Sequence, residues 1–360
     1  MILNWGELIT LEYGKPVKDK ESTDGKVPVY GTNGQIGTSH LPAQCKHPSF
    51  ILGRKGAYRG VHYSDCPFSV IDTAFYAEPL TDRIDLKWAY YKFLTYDING
   101  MDSGSAIPST DRYQIYSIEV EVPPLEKQRK IVAVLDCIDR KININQKVND
   151  NLEQQAAALF SSLYNRSNTE VRYTDLIQIL GGGTPKTGET AYWNGNIAFF
   201  TPKDVGTPYT FITEKTITEE GLSHCNSRLY PVNTVFVTAR GTVGKVGLSG
   251  VPMAMNQSCY ALVGKETHQL LVYFYTLKAV DRLKHKASGA VFDAITTRDF
   301  DSEQIMKLSD DDAKAFLCVA EPMFQEILNN SIENLRLSTL RDFLLPKLMS
   351  GEIDVSSVQL

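Results

Sequence analysis

Residues Leu125 to Tyr164, LEKQRKIVAVLDCIDRKININQKVNDNLEQQAAALFSSLY, constrain this chain more than any other stretch, because they read as one long helix with a seam. Alternate steps of four and three from Ile131 give Leu135, Ile138, Ile142, Asn145, Asn149, Leu152, Ala156, Leu159 and Leu163. That heptad rhythm is the period of a helix supercoiled on a partner. Only two asparagines interrupt the apolar stripe, and a buried Asn in such a seam sacrifices stability to fix register. The partner lies in the same chain, 185 residues on: Phe316, Ala320, Met323, Ile327, Asn330, Asn334, Leu337, Arg341, Leu344 and Leu348. Asparagine falls on asparagine twice.

The same offset holds outside the helices, where heptad composition cannot produce it. Lys55 to Phe75 reads KGAYRGVHYSDCPFSVIDTAF, and Arg240 to Tyr260 reads RGTVGKVGLSGVPMAMNQSCY. Gly56 matches Gly241, Val61 matches Val246, Ser64 matches Ser249, Pro67 matches Pro252, and Ser103-Gly104 falls on Ser288-Gly289. A tandem duplication follows, each half a globular segment and then a long helix. With 42% hydrophobic and 22% charged residues over 360 positions, nothing suggests disorder, and two or three domains fit. Six irregularly spaced cysteines suggest reduced thiols rather than a disulfide framework. No basic leader and no long apolar run occur, so a cytoplasmic, membrane-free protein is expected. A net charge of −5 argues against coating nucleic acid through bulk charge, so any DNA affinity should be partly borrowed from partners.

Residues 1–122 alternate short β-rich runs with turns, among them Asn33-Gly34 after Val27 to Tyr30. Ser49 to Leu52 reads as a strand entering Gly53-Arg54-Lys55-Gly56-Ala57-Tyr58-Arg59-Gly60. Glycines there permit close approach, the cations suit phosphate or guanine edges, and the tyrosine can stack on a base. The bland alternative is a solvated hairpin tip. Asp85 to Tyr96 reads as a short amphipathic helix, Gly100 to Arg112 as a polar loop, and Ile118 to Val122 as a strand ending at Pro123-Pro124, where the long helix begins. At about 1.5 Å per residue, some forty residues would span roughly 60 Å.

The second half opens at Val171 with a longer front section. Gly181-Gly182-Gly183-Thr184-Pro185-Lys186-Thr187 invites a phosphate-loop reading, but that motif needs Gly directly before the Lys and a helix after it. Trp193 to Asp204 reads as strand then turn, and Ala239 to Gly247 mirrors the basic loop with Arg240 and Lys245. A helix from His268 to Lys286 ends in Lys278, Arg282, Lys284, His285 and Lys286, a solvated face or a phosphate contact. The second long helix starts near Ser309, with Asp310 to Asp312 in its positive first turn, a bend expected at Pro322 and at Pro346, and a stop at Gly351. Cys45, His47, His62 and Cys66 do not have structural-zinc spacing, so no metal site is expected. His40, His224, His268 and His285 adjoin no nucleophile elbow, and no Asn-Pro-Pro-aromatic or Asp-Pro-Pro-aromatic adenine-methylation signature is present.

With its first helix opening Pro123-Pro124-Leu125-Glu126-Lys127-Gln128-Arg129-Lys130-Ile131-Val132, its Leu159-Phe160, and its C-terminal Leu340 to Ile353, LRDFLLPKLMSGEI, the chain resembles the specificity subunits of Type I restriction-modification systems. Gly182-Gly183-Thr184-Pro185 and Tyr192-Trp193 also resemble the opening of target-recognition domains; the second helix departs from the pattern in starting Ser309-Asp310-Asp311-Asp312. The resemblance implies an α+β chain of two target-recognition domains with small mixed or antiparallel sheets, at 1–122 and 166–308. Between them would lie two long helices, 123–165 and 309–351, packed as an antiparallel coiled coil with pseudo-twofold symmetry and followed by a tail, 352–360. It further implies a non-catalytic subunit that reads a bipartite site in double-stranded DNA and docks two methyltransferase subunits, to which motor-nuclease subunits add. S-adenosylmethionine, ATP and Mg would belong to those partners, not to this chain. The candidate DNA contacts are Asn33, Arg54, Lys55, Tyr58 and Arg59 in the first half and Lys186, Lys203, Arg240 and Lys245 in the second. Asn145, Asn149, Asn330 and Asn334 should converge as a polar cluster in the seam. A coiled-coil scaffold that never touches DNA would explain the helices but not the duplicated basic loops.

Overall fold

The structure, a computed structural model, describes residues 1–22, 24–101, 108–206, 208–286 and 294–358, so the Ser103-Gly104 and Ser288-Gly289 match lies outside the described residues. The chain forms two compact units, one of Met1–Ile142 with Leu335–Leu360 and the other of Asn143–Asn334. Part of each long helix falls in each unit, where its seam finds apolar partners.

In the first unit Ile9–Tyr13, Ala74–Pro79, Ser49–Gly53 and Val61–Ser64 form a four-stranded sheet in the spatial order given. Gly34–Ser39, Val27–Gly31 and Ser69–Val70 form a three-stranded sheet, and Ile2–Asn4 pairs with Glu119–Glu121. The second unit repeats all three: Ile177–Gly181, Cys259–Gly264, Val235–Thr238 and Val246–Ser249 with an added Tyr209–Thr210; Lys215–Ile217, Trp193–Phe200 and Met253–Met255; and Thr169–Arg172 with Gln304–Lys307.

The repetition extends to the register. Leu52 lies opposite Phe75 and Val61 in the first unit, and Val237 lies opposite Tyr260 and Val246 in the second, each partner 185 residues later. A parallel pair in each unit, Val29 with Ser69 and Phe199 with Ala254, also corresponds, and the added Tyr209–Thr210 strand gives the second unit another, against Leu248 and Ser249. A slip of one residue would turn every side chain to the other face, so identical registers mean that the two units bury equivalent positions.

The first core gathers Trp5, Phe50, Leu52, Phe75, Trp88 and Phe93, with Trp5 and Phe93 rings 4.6 Å apart, and takes in Ile131, Leu135, Leu345 and Leu348 from the long helices. Asp85 caps the helix Leu86–Phe93 through the amides of Lys87 and Trp88. The second core centres on Phe160, Phe274, Phe316 and Phe324, with the helix Gln269–Lys286 buried along one side.

The long helices run Leu125–Arg166 and Asp310–Ser350, the latter unbroken through Pro322 and Pro346. The Ser309 hydroxyl accepts from the Asp312 amide at 3.1 Å, and Gly351, at φ +79°, ends the second helix. Rising numbers on the first helix meet falling numbers on the second in each unit. In the first unit Arg341 pairs with Asp139 at 3.0 Å, which explains how a cation occupies a seam position; the Tyr91 hydroxyl donates to the other Asp139 oxygen at 2.7 Å. In the second unit Asn145 Nδ2 donates to Asn334 Oδ1 at 2.9 Å and to Glu333 Oε2 at 2.7 Å, and Asn330 Nδ2 donates to Asn149 Oδ1 at 3.0 Å. The four asparagines form two hydrogen-bonded pairs across the seam, with Asn145, Asn149 and Asn330 buried.

The motif glutamine at the first helix start has a structural task. Gln128 is fully buried; its Oε1 accepts from the Asp85 amide and its Nε2 donates to the carbonyls of Arg83 and Pro123, each at 2.8 Å. It ties the helix to the loop that caps Leu86–Phe93.

Candidate nucleic-acid interface

Each unit presents its basic loop on the same frame of backbone bonds. In the first, the amides of Arg54 and Lys55 donate to the Thr73 carbonyl, and Thr110 N donates to the Arg54 carbonyl. In the second, the amides of Ala239 and Arg240 donate to Ser258, and Ile295 N donates to Ala239. Every one of these residues is displaced by 185. Gly56 and Gly241 explain the matched glycines, since their φ angles of +124° and +80° lie where a side chain is strained.

A second turn joins each loop. Thr32 Oγ1 donates to the Lys55 carbonyl at 2.8 Å, bringing the exposed Asn33 beside the first loop. Thr242 Oγ1 donates to Pro202 O at 3.1 Å, bringing the exposed Lys203 beside the second. Asn33 and Lys203 occupy equivalent places, three residues past the paired Tyr30 and Phe200.

Within the first loop Lys55 and Tyr58 are exposed, Tyr58 by 62%. Arg54 is held: its guanidinium lies 4.8 Å from the Tyr13 ring centre and donates to the Asp72 carbonyl at 3.0 Å. Arg112, which no spacing singled out, lies 4.8 Å from the same ring and 5.1 Å from that of Tyr113. Tyr13 and Tyr113 are themselves exposed, so the two arginines and two tyrosines make a pre-stiffened cationic and aromatic face. Arg59 is the correction. Its side chain is 2% exposed and donates to the carbonyls of Ile98 at 3.2 Å and Asn99 at 2.8 Å, so it shapes the loop from inside and leaves the set of candidate contacts.

In the second loop Arg240 and Lys245 are exposed, and the stem of Lys284 lies against Gly244. Lys203 faces Glu214 at 3.4 Å. Lys186 stands on a separate exposed segment held by a bond from Trp193 Nε1 to its carbonyl. The cationic end of Gln269–Lys286 divides: Arg282 and Lys286 converge on the fully buried carboxylate of Glu303, Lys278 lies over Tyr164, and Lys284 alone of these joins the loop.

Cys45, His47, His62 and Cys66 do not come together. Burial lowers the pKa of His62, whose Nε2 donates to Thr32 O at 3.2 Å beneath the first turn, while Cys66 stays with Ser64. Cys45 and His47 instead meet Glu78.

This architecture has relatives. The family model described as Type I restriction modification DNA specificity domain matches residues 4–154 and again 165–307. The chain belongs to that family. The specificity subunit of the Type I restriction enzyme MjaIX of Methanocaldococcus jannaschii is 32% identical over 124 residues, which are 33% of this chain and 29% of that protein. The HindI specificity subunit of Haemophilus influenzae is 23% identical over 346 residues, covering 73% of this chain and 74% of that one. The S subunit of a Type I system from M. genitalium has the same fold, with a TM-score of 0.62 at 16% identity over 97% of this chain and 95% of that one. The two matched stretches correspond to the two copies of the repeat. Among the described residues no helix is long and apolar enough to cross a membrane.

Proposed function

We propose that this chain is the DNA-reading subunit of a Type I restriction-modification complex, each unit reading one half of a bipartite site in double-stranded DNA. The long helices, each shared by both units, set the half-site spacing and dock two methyltransferase subunits, to which motor-nuclease subunits add. The observation that carries the reading is the basic loop built twice on the same bonds. Twin readers suit two half-sites on one duplex, whose separation is a geometric property of the protein.

The first face has the parts that duplex recognition uses: Lys55 for phosphate, Arg54 and Arg112 stiffened for bidentate contact with a base edge, and Tyr58 free to stack. The second offers Arg240, Lys245, Lys203 and Lys284. Family members are targeting subunits rather than enzymes, so methyl transfer and its S-adenosylmethionine, and ATP with Mg, belong to the partners. Exposed apolar side chains on the helices, Ile144 and Val148 in one unit and Leu340 and Phe343 in the other, support docking of further subunits. A cytoplasmic location follows from that partnership.

Selection from a randomised duplex pool by the chain assembled with its methyltransferase tests the proposal. Two short conserved blocks separated by a fixed unread gap are expected. No enrichment of any sequence would return the chain to the scaffold reading.

A further inference from the structure

The side chains of Cys45, His47 and Glu78 offer one sulfur, one nitrogen and one oxygen, all within 4.8 Å of one another. Cys45 Sγ lies 3.8 Å from His47 Nε2, and His47 Nε2 lies 2.7 Å from Glu78 Oε2. The other ring nitrogen, Nδ1, lies 3.0 Å from the Pro48 carbonyl, which can only accept. Nδ1 therefore carries hydrogen, and the lone pair of neutral His47 points toward the carboxylate. Two acceptors that close repel unless a cation, a proton or a metal ion, lies between them.

A backbone carbonyl that orients the second ring nitrogen is the usual support of a metal-bound histidine. The sulfur adds a third donor that a zinc ion uses and a proton does not. Since tetrahedral zinc holds S and N about 3.5 Å apart with the ion on the nitrogen's lone-pair axis, the His47 ring, whose Nε2 and Nδ1 lie 3.8 and 4.0 Å from Sγ, turns its Nε2 toward the sulfur on binding. His47 and Glu78 are half-buried, so a small shift of the carboxylate makes room and a fourth position opens to water.

The second unit shows that the fold does not need these donors. The isolated bridge of Cys45 with Phe68 recurs as Tyr230 with Met253, and the positions 185 residues after the three donors hold Tyr230, Val232 and Val263. None of the three donors is kept there.

We infer that Cys45, His47 and Glu78 bind a single divalent transition-metal ion, of which zinc fits the S, N and O donor set best. The ion ties the segment that leads into strand Ser49–Gly53 to strand Ala74–Pro79, stiffening from behind the strand that enters the first basic loop. The inference does not depend on what the loop contacts.

The test is a cobalt titration of the full-length chain after chelator treatment, followed by displacement with zinc. One equivalent should produce a sulfur-to-cobalt charge-transfer absorption that zinc abolishes, and zinc should raise the thermal unfolding midpoint. Cys45→Ser should lose the band, His47→Gln and Glu78→Gln should weaken binding at least tenfold, and Cys66→Ser and His62→Asn should change neither. His47→Gln, at a partly exposed position, keeps the test decisive if Cys45→Ser does not fold. Absence of a saturable band in the parent chain, or a band undiminished in the folded Cys45→Ser or His47→Gln chain, would overturn the inference.

Discussion

Replacing Asn330 with leucine removes the donor that Asn149 Oδ1 accepts from at 3.0 Å, in a place where Asn149 has only 9% of its surface exposed. An orphaned buried acceptor costs about 1–3 kcal/mol, and the new methyl groups cannot recover that while the amide opposite still lacks its partner. Asn149→Leu alone strands the Asn330 amide in the same way. The double variant should behave differently. With both amides gone, Ser331 keeps its own bond to the Ile327 carbonyl at 2.7 Å, so no known polar group of the pair's surroundings is left open. Two leucines then gain roughly 1.5–3 kcal/mol each if fully buried, against the lost bonds. The double variant should therefore match or exceed the parent. Urea unfolding followed by helix ellipticity across the four proteins measures the coupling, expected to be at least about 1–2 kcal/mol. Additive losses, or singles as stable as the parent, would refute the view that the asparagines specify register at the expense of stability.

Other expectations follow from the same structure. Alanine at Lys55 and Tyr58 should reduce DNA binding of the assembled complex while leaving thermal stability within about 0.5 kcal/mol of the parent, as surface changes do, whereas Arg59→Ala should lower stability first; paired melts and gel shifts separate the two. Gln128→Leu should cost about 2–4 kcal/mol, because three bonds are lost and a buried amide is stranded, and urea midpoints would show it. His62 has its pKa lowered by burial, so the unfolded chain takes up the proton first; stability should fall as pH drops below about 6.5, and His62→Asn should flatten that slope in melts between pH 5 and 7.5.

Much of the fold was legible because repetition is a property of sequence alone. The constant offset carried the duplication, the paired long helices and the matched loops, and the strand registers around those loops follow it, whereas the front strands shift, Phe199 standing for Val29. What the sequence did not disclose is which face a loop cation takes. Arg54 and Arg59 look alike in Gly53 to Gly60, yet one stacks on Tyr13 and the other turns inward onto the carbonyls of Ile98 and Asn99, which arrive from 39 and 40 positions away. Arg112 joined the face through a strand end and a short helix that no local pattern connects. Glu78 was equally hidden from Cys45 and His47, because only the pairing of strands brings it there.

The central claim is that the two units read different halves of one site. Footprinting the complete complex on its selected duplex, with Arg54→Ala/Lys55→Ala in one preparation and Arg240→Ala/Lys245→Ala in another, tests it most directly. Each pair should erase protection over one half-site and spare the other. Loss of both halves by either pair, or of neither by both, would contradict it.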